Sequence, residues 1–151
     1  MRMEVKLEKM KRLAAMALVA AAFIGLSSRT AFAYSNYRFF NIVQQVCKAY
    51  RVYVDMADMY LNQAADDHLV FTVELNSGRN NFDTAMLAAF LGVGKALNRV
   101  QELDVNTVEV KIRINARENN LIIATADAND IVRYANGSLS YKDFKESLTV
   151  I

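Results

Sequence analysis

The longest periodic pattern in the chain lies between Ser35 and Ala65. Apolar residues recur there at alternating spacings of four and three, which places them on one face of an α-helix. These residues are Phe39, Val43, Val46, Tyr50, Tyr53, Ala57, Tyr60 and Ala64. The pattern predicts one amphipathic helix over residues 34–65, about 45 Å long. Because a small domain does not need a helix of that length, we expect part of it to project or to pair with a second copy.

The rest of the chain alternates between strand and helix patterns. Period-two alternation predicts strands at 69–75 and 107–115, and a more buried strand at 121–126. A helical pattern covers 82–101, with a row of small residues beside its large apolar row. Asp127 and Ser140 are predicted to cap two further helices, and Asn136-Gly137 to end the first of them. Residues 148–151 are a candidate for a short last strand.

This order of elements predicts an α+β fold: a long N-terminal helix and an antiparallel sheet with helices on one face. If the last strand forms, the core over 69–151 has the order β-α-β-β-α-β, which is that of a ferredoxin-like arrangement. The chain has no proline and no linker-like segment. Residues 34–151 are therefore predicted to form a single domain.

The segment Met1–Ala33 has the features of a secretory signal peptide. A basic start is followed by the uncharged run from Leu13 to Leu26, and then by Ala31-Phe32-Ala33, an A-x-A cleavage site. Fourteen helical residues span about 20 Å, which is short for a hydrocarbon core of about 30 Å. We therefore predict cleavage after Ala33, no stable membrane insertion afterwards, and a periplasmic or extracellular location, with an uncleaved anchor as the alternative.

The predicted leader also carries much of the positive charge. Six of the 18 basic residues and two of the 16 acidic residues precede Tyr34, so the remainder has a net charge of about −2. No basic stripe is left, and nucleic-acid binding is not expected.

The inventory of reactive residues does not favour an enzyme. No serine lies in a G-x-S-x-G context, and Cys47 and His68 are the sole residues of their kinds. Cys47 has the spacing of a buried helix residue, with a disulfide between two chains as the alternative. His68 lies beside Asp66 and Asp67, but the set is too sparse to predict a metal site. We expect no cofactor and no metal.

Two sets of residues are candidates for binding. The loop Ser77, Gly78, Arg79 and Asn80 leads from a strand into a helix, where free backbone N–H groups and the arginine could receive an anion. An ordinary turn is the simpler interpretation. Tyr50, Tyr53 and Tyr60 on the predicted long helix could form an interface, since tyrosine combines a ring that can be buried with a hydroxyl that stays wet.

These features together favour a small exported protein without catalytic activity. The first expectation is that it binds a protein partner or forms a homo-oligomer through the N-terminal helix. The alternative is a small-molecule or anion-binding domain that uses the loop Ser77–Asn81.

Overall fold

A computed structural model describes residues 34–64, 68–115 and 120–151. Residues Asn36–Ile151 form one compact unit. The predicted signal peptide lies outside the described residues. The helices are α1 (34–49), α2 (Phe82–Arg99), α3 (Ala128–Ala135) and α4 (Tyr141–Ser147), with a 3₁₀ turn at Met56–Asp58. The strands are β1 (Met59–Gln63), β2 (Leu69–Ser77), β3 (Thr107–Ile114), β4 (Asn120–Asp127) and β5 (Thr149–Val150).

The α+β class is confirmed, because helices of the described residues pack on a five-stranded sheet. The strands and helix caps predicted from 69 onward are confirmed as well. Asp127 accepts a hydrogen bond from the Asn129 amide, and Ser140 accepts one from the Asp143 amide. The predicted last strand is present as β5, which pairs with β4. Among the described residues, no helix combines the length and hydropathy needed to cross a membrane.

The core lies between the helices and one face of the sheet. Alternate residues of β2 and β3 meet there in register, with Phe71 opposite Val108 and Val73 opposite Val110. All four are fully buried, as the period-two pattern requires. The Phe39 ring of α1 packs edge-on against Phe71, with ring centroids 5.0 Å apart. Helix α1 is therefore an integral part of the core from Phe39 onward.

The ferredoxin-like arrangement is wrong. That arrangement places another strand between the two strands of a β-α-β unit, whereas β2 and β3 are direct neighbours here. The sheet order is β1-β2-β3-β4-β5, so strands pair in the order in which they occur. The sheet is also mixed rather than antiparallel: α2 returns the chain to the end where β2 began, and β3 therefore runs parallel to β2.

The prediction of a single helix over 34–65 is wrong too, because α1 ends at residue 49 and residues 59–63 form strand β1 of the sheet. Arg51 has a left-handed backbone, with φ of 61°, which stops the helix. Residues 52–54 are Val-Tyr-Val, which favour extended backbone. Asp55 then accepts a hydrogen bond from the Ala57 amide and starts the 3₁₀ turn. In β1, Met59 is buried and Tyr60 is exposed, as expected for a strand, in which successive side chains point to opposite faces.

The predicted row of small residues on α2 is confirmed as a close-packing surface. Ala85, Ala89, Gly92 and Ala96 are all buried. A Cβ atom on Gly92 would lie 3.1 Å from the Val43 carbonyl oxygen of α1. One on Gly94 would lie 2.5 Å from the Ala135 Cβ of α3. Small residues thus allow α1 and α3 to approach α2 closely.

The other face of the sheet carries polar side chains, as the pattern of β3 predicts. Lys111 pairs with Glu109 at 3.1 Å, and Arg113 pairs with Glu74 at 3.4 Å. These are partly exposed ion pairs, each contributing little to stability. The partial exposure of these side chains shows that water reaches this face of the sheet.

Candidate functional site

The turn that follows α1, in which Arg51 has a left-handed backbone conformation, forms one wall of the candidate site. The Val52 amide donates to the Cys47 carbonyl at 2.9 Å, and the Arg51 amide donates to the Lys48 carbonyl at 3.0 Å. This pair of bonds is a Schellman motif. The same motif ends α3, where the left-handed position is Gly137 with φ of 76°. An arginine in that position costs about 1 kcal/mol relative to glycine.

The turn is held firmly against the core. Gln44 donates a side-chain hydrogen bond to the Val54 carbonyl at 2.9 Å. Val54 is buried, and Val52 packs against the core. Tyr50 and Tyr53 are left exposed at 52% and 82%. The turn therefore presents two tyrosines on a fixed backbone.

The second wall is the connection from β2 to α2. Ser77 is the last residue of β2 and is buried, with its hydroxyl 3.3 Å from the Gly78 carbonyl oxygen. The Asn81 amide donates to the same carbonyl at 3.0 Å and closes the turn. A Cβ atom on Gly78 would meet nothing within 4 Å, so the space beside this residue is open.

The two walls enclose a cleft of about 460 Å³. We call it the Tyr53 cleft, and its lining residues are Tyr50, Arg51, Val52, Tyr53, Asn76, Ser77, Gly78, Asn81, Thr84 and Ala85. A second hollow of about 470 Å³ lies against Gln44, Gln45 and Lys48 of α1. Residues 51–53 line both hollows.

The cleft joins the two sets of candidate residues that the sequence predicted separately. Tyr50 and Tyr53 line it together with Ser77 and Gly78. Arg79 and Asn80 are exposed in the turn but are not part of the lining. Tyr60 lies on β1, opposite Thr72, and is 41% exposed on the polar face of the sheet. It does not join the other two tyrosines, because the helix that was expected to align them is not formed.

Sequence reasoning missed Arg51. In the structure it lines the cleft beside the first turn of α2. The Asn81 side chain makes no capping hydrogen bond to the N–H groups of that turn. The arginine and the helix end both favour negative charge.

The carboxylate in the first turn of α2 faces a different neighbour. Asp83 accepts a hydrogen bond from Lys145 of α4 at 3.0 Å and does not line the cleft. This hydrogen bond, with the charge of Asp83, raises the pKa of Lys145 above its usual value. Asp83 thus links α2 to α4. No carboxylate side chain lines the cleft beside Arg51 and the start of α2.

Within residues 34–64, 68–115 and 120–151, the remaining reactive side chains do not assemble into a catalytic group. Cys47 is buried, with its Sγ atom 3.8 Å from the Ala88 carbonyl oxygen, and burial raises its pKa to about 12. His68 Nε2 lies 2.8 Å from the Thr107 hydroxyl, far along the sheet from the β2 end that forms the cleft. Over the described part of the chain, no three His, Cys, Asp or Glu side chains are grouped to hold a metal ion.

No protein-family model matches this sequence, and comparison with curated proteins and with solved structures finds no match.

Proposed function

We propose that this protein is an exported binding protein, without catalytic activity, that recognises a segment of a partner polypeptide in the Tyr53 cleft. The single observation that carries the proposal is the make-up of that cleft. Tyrosine, serine, asparagine, glycine and arginine supply most of its lining. The same residue types dominate the antigen-binding loops of antibodies, because tyrosine offers a large rigid contact area and the small polar residues adapt their hydrogen bonds.

The rigidity of the turn supports recognition. Ordering a flexible loop on binding costs free energy, and a loop that is fixed beforehand avoids that cost. The Schellman bonds of residues 51 and 52 and the Gln44 bond to Val54 fix the turn before a partner arrives. The left-handed backbone of Arg51 costs stability, and such residues often belong to binding sites. Both features favour a function for the turn itself.

Tyr53 is expected to contribute most of the binding free energy. Its ring is largely exposed at the mouth of the cleft, and burying a tyrosine ring removes 150 Å² or more from water. Replacing Tyr53 with alanine is expected to weaken binding by about 30-fold, the size of a typical interface hot spot. The matched control is Tyr60→Ala, which removes an exposed tyrosine outside the cleft and should leave affinity unchanged.

The measurement uses peptides selected from a displayed random library on the full protein, with affinities determined for each variant. Equal binding of the selected peptides to Tyr53→Ala would contradict the proposal, and so would a selection that enriches none. The alternative, an anion or small-molecule site, has inorganic phosphate as its probe. Phosphate binding that is lost in Arg51→Gln but kept in Tyr53→Ala would replace peptide recognition with that alternative.

The proposed compartment has its own test. If Met1–Ala33 acts as a leader, mass spectrometry of the protein exported by a bacterial host will find Tyr34 at the amino terminus, because signal peptidase cuts after an A-x-A site. A form that keeps Met1 would contradict export by cleavage. That result would leave the peptide test unaffected, since the cleft is built from residues after Ala49.

A further inference from the structure

Two hollows share residues 51–53 as part of their lining. One is the Tyr53 cleft, and the other is the hollow of about 470 Å³ against α1, which we call the Lys48 hollow. The lining residues of the Lys48 hollow are Gln44, Gln45, Lys48, Arg51, Val52, Tyr53 and Val54. Because Arg51 and Tyr53 belong to both linings, a segment that contacts Tyr53 in the cleft is also within reach of the Lys48 hollow.

Both linings carry positive charge without a carboxylate. Arg51 lines both hollows, and Lys48 lines one of them. Among the described residues that line either hollow, none is Asp or Glu. The carboxylate nearest in sequence, Asp55, accepts a hydrogen bond from the Ala57 amide at 3.0 Å and lies outside both linings. An anionic group bound at residues 51–53 therefore meets cations and no carboxylate that would repel it.

The charges of these two cations are available to a partner. Elsewhere in the chain Lys111, Arg113 and Lys145 each pair with a carboxylate. Within the part of the chain that the structure describes, neither Lys48 nor Arg51 forms an ion pair. Both side chains are exposed. An arriving carboxylate therefore does not have to displace an existing ionic partner.

Arg51 also stands where glycine would cost less. Its backbone is left-handed, with φ of 61°, a conformation that glycine adopts without a steric penalty. The same Schellman motif at the end of α3 has Gly137 in this position. The turn itself therefore does not require an arginine. The guanidinium group suits a carboxylate, because its planar fork donates two parallel hydrogen bonds to the two carboxylate oxygens.

Building on the proposed function, we infer that the segment bound in the Tyr53 cleft is an acidic peptide whose carboxylates bind to Arg51 and Lys48. Arg51 forms the bidentate contact, and Lys48 supplies a compact second charge at the end of α1. Residues 34–151 contain 12 basic and 14 acidic residues, so the protein as a whole does not attract an acidic chain. The preference is local to residues 48–53.

The test uses peptides selected from a displayed random library on the full protein. Asp and Glu are expected to be enriched among them relative to the unselected library. The tightest acidic peptide is expected to bind Arg51→Gln about 10-fold more weakly, the loss expected for a hydrogen bond to a charged group. Glutamine carries a Cβ atom as arginine does, so the substitution leaves the cost of the left-handed backbone unchanged.

The matched control is Arg99→Gln. Arg99 is exposed and lies near the other end of α2, roughly 20 Å along the helix axis from Thr84 of the cleft. The control removes the same charge from the protein without touching either hollow, and it should leave the affinity unchanged. Equal weakening by Arg99→Gln and Arg51→Gln would overturn the inference, since overall charge would then explain the effect.

A paired change in the peptide identifies the contact. Replacing the Asp and Glu residues of the tightest peptide with Asn and Gln is expected to weaken its binding to the unsubstituted protein by about 10-fold or more. The same replacement should have no effect on binding to the double variant Lys48→Gln, Arg51→Gln, because the charges that the carboxylates bind are already gone. Equal losses with both proteins would place the carboxylates elsewhere and overturn the inference.

The composition of the selected peptides separates this inference from the proposed function. Peptides that depend on Tyr53 but are not enriched in Asp or Glu would overturn the acidic preference and leave peptide recognition in place. A selection that enriches no peptide contradicts the proposed function, and the inference with it. A single-stranded DNA homopolymer is the probe for another anionic occupant: if it binds as tightly as the acidic peptides, the cations recognise phosphate and the inference is overturned.

Discussion

Replacing Gly94 with alanine is expected to lower the free energy of unfolding by about 2 kcal/mol, although alanine is the better helix former by about 1 kcal/mol. The added Cβ would lie 2.5 Å from the Ala135 Cβ and 2.8 Å from the Ile131 carbonyl oxygen. The second contact is with backbone, so α3 must move away from α2 as a whole. Urea denaturation followed by circular dichroism measures the loss.

The matched control for this change is Gly78→Ala. A Cβ at Gly78 meets nothing within 4 Å, and its backbone has no positive φ. Its effect on the free energy of unfolding should stay within about 0.5 kcal/mol. If Gly94→Ala were as stable as the unsubstituted protein, then α2 and α3 would not approach as closely as described. The hydrogen bond from Lys95 to the Ala135 carbonyl, at 2.7 Å, would then be in doubt as well.

The sequence predicted the elements whose signals are local. The alternation of Val108, Val110 and Ile112 identifies β3 and its buried face, because side chains of a strand point to opposite sides in turn. Asp127 and Ser140 identify helix starts for a similar reason, since a capping side chain bonds to an amide two or three residues away. Such signals do not depend on the rest of the fold.

Long-range pairing escaped prediction because it depends on which strands meet. The residues from Tyr50 to Ala64 happen to continue the three-four spacing of α1, yet Met59 to Gln63 pair with β2 as an edge strand of the sheet. Burial of Met59 against the core and the extended preference of residues 52–54 outweigh the helical spacing. Likewise, no local pattern tells whether β2 and β3 are direct neighbours in the sheet or have another strand between them.

The candidate site was predicted in parts but not as a whole. Tyr53 and Ser77 were chosen for unrelated reasons, one for an interface and one for an anion-binding loop. They line the same cleft because β1 and the turn before it bring the end of α1 to the end of β2. Arg51 could not be predicted, since its role follows from a left-handed backbone that is more often adopted by glycine.

Truncating Phe39 to alanine is expected to cost about 3–5 kcal/mol of the free energy of unfolding. The ring is fully buried and packs edge-on against Phe71. Its removal leaves a cavity between α1 and the sheet that these well-packed neighbours cannot easily fill. The loss is to be measured by urea denaturation, with the m-value compared between variants to detect partial unfolding.

This change separates a helix that belongs to the core from one that projects towards a partner. Tyr37→Ala is the control on the same helix, because that ring is exposed and its loss should cost less than about 1 kcal/mol. A Phe39→Ala protein of unchanged stability would mean that α1 does not pack along the sheet. The rigid base of the Tyr53 cleft depends on that packing. The carbonyls of Lys48 and Cys47 accept the hydrogen bonds that fix Arg51 and Val52, and Cys47 belongs to the same buried cluster as Phe39.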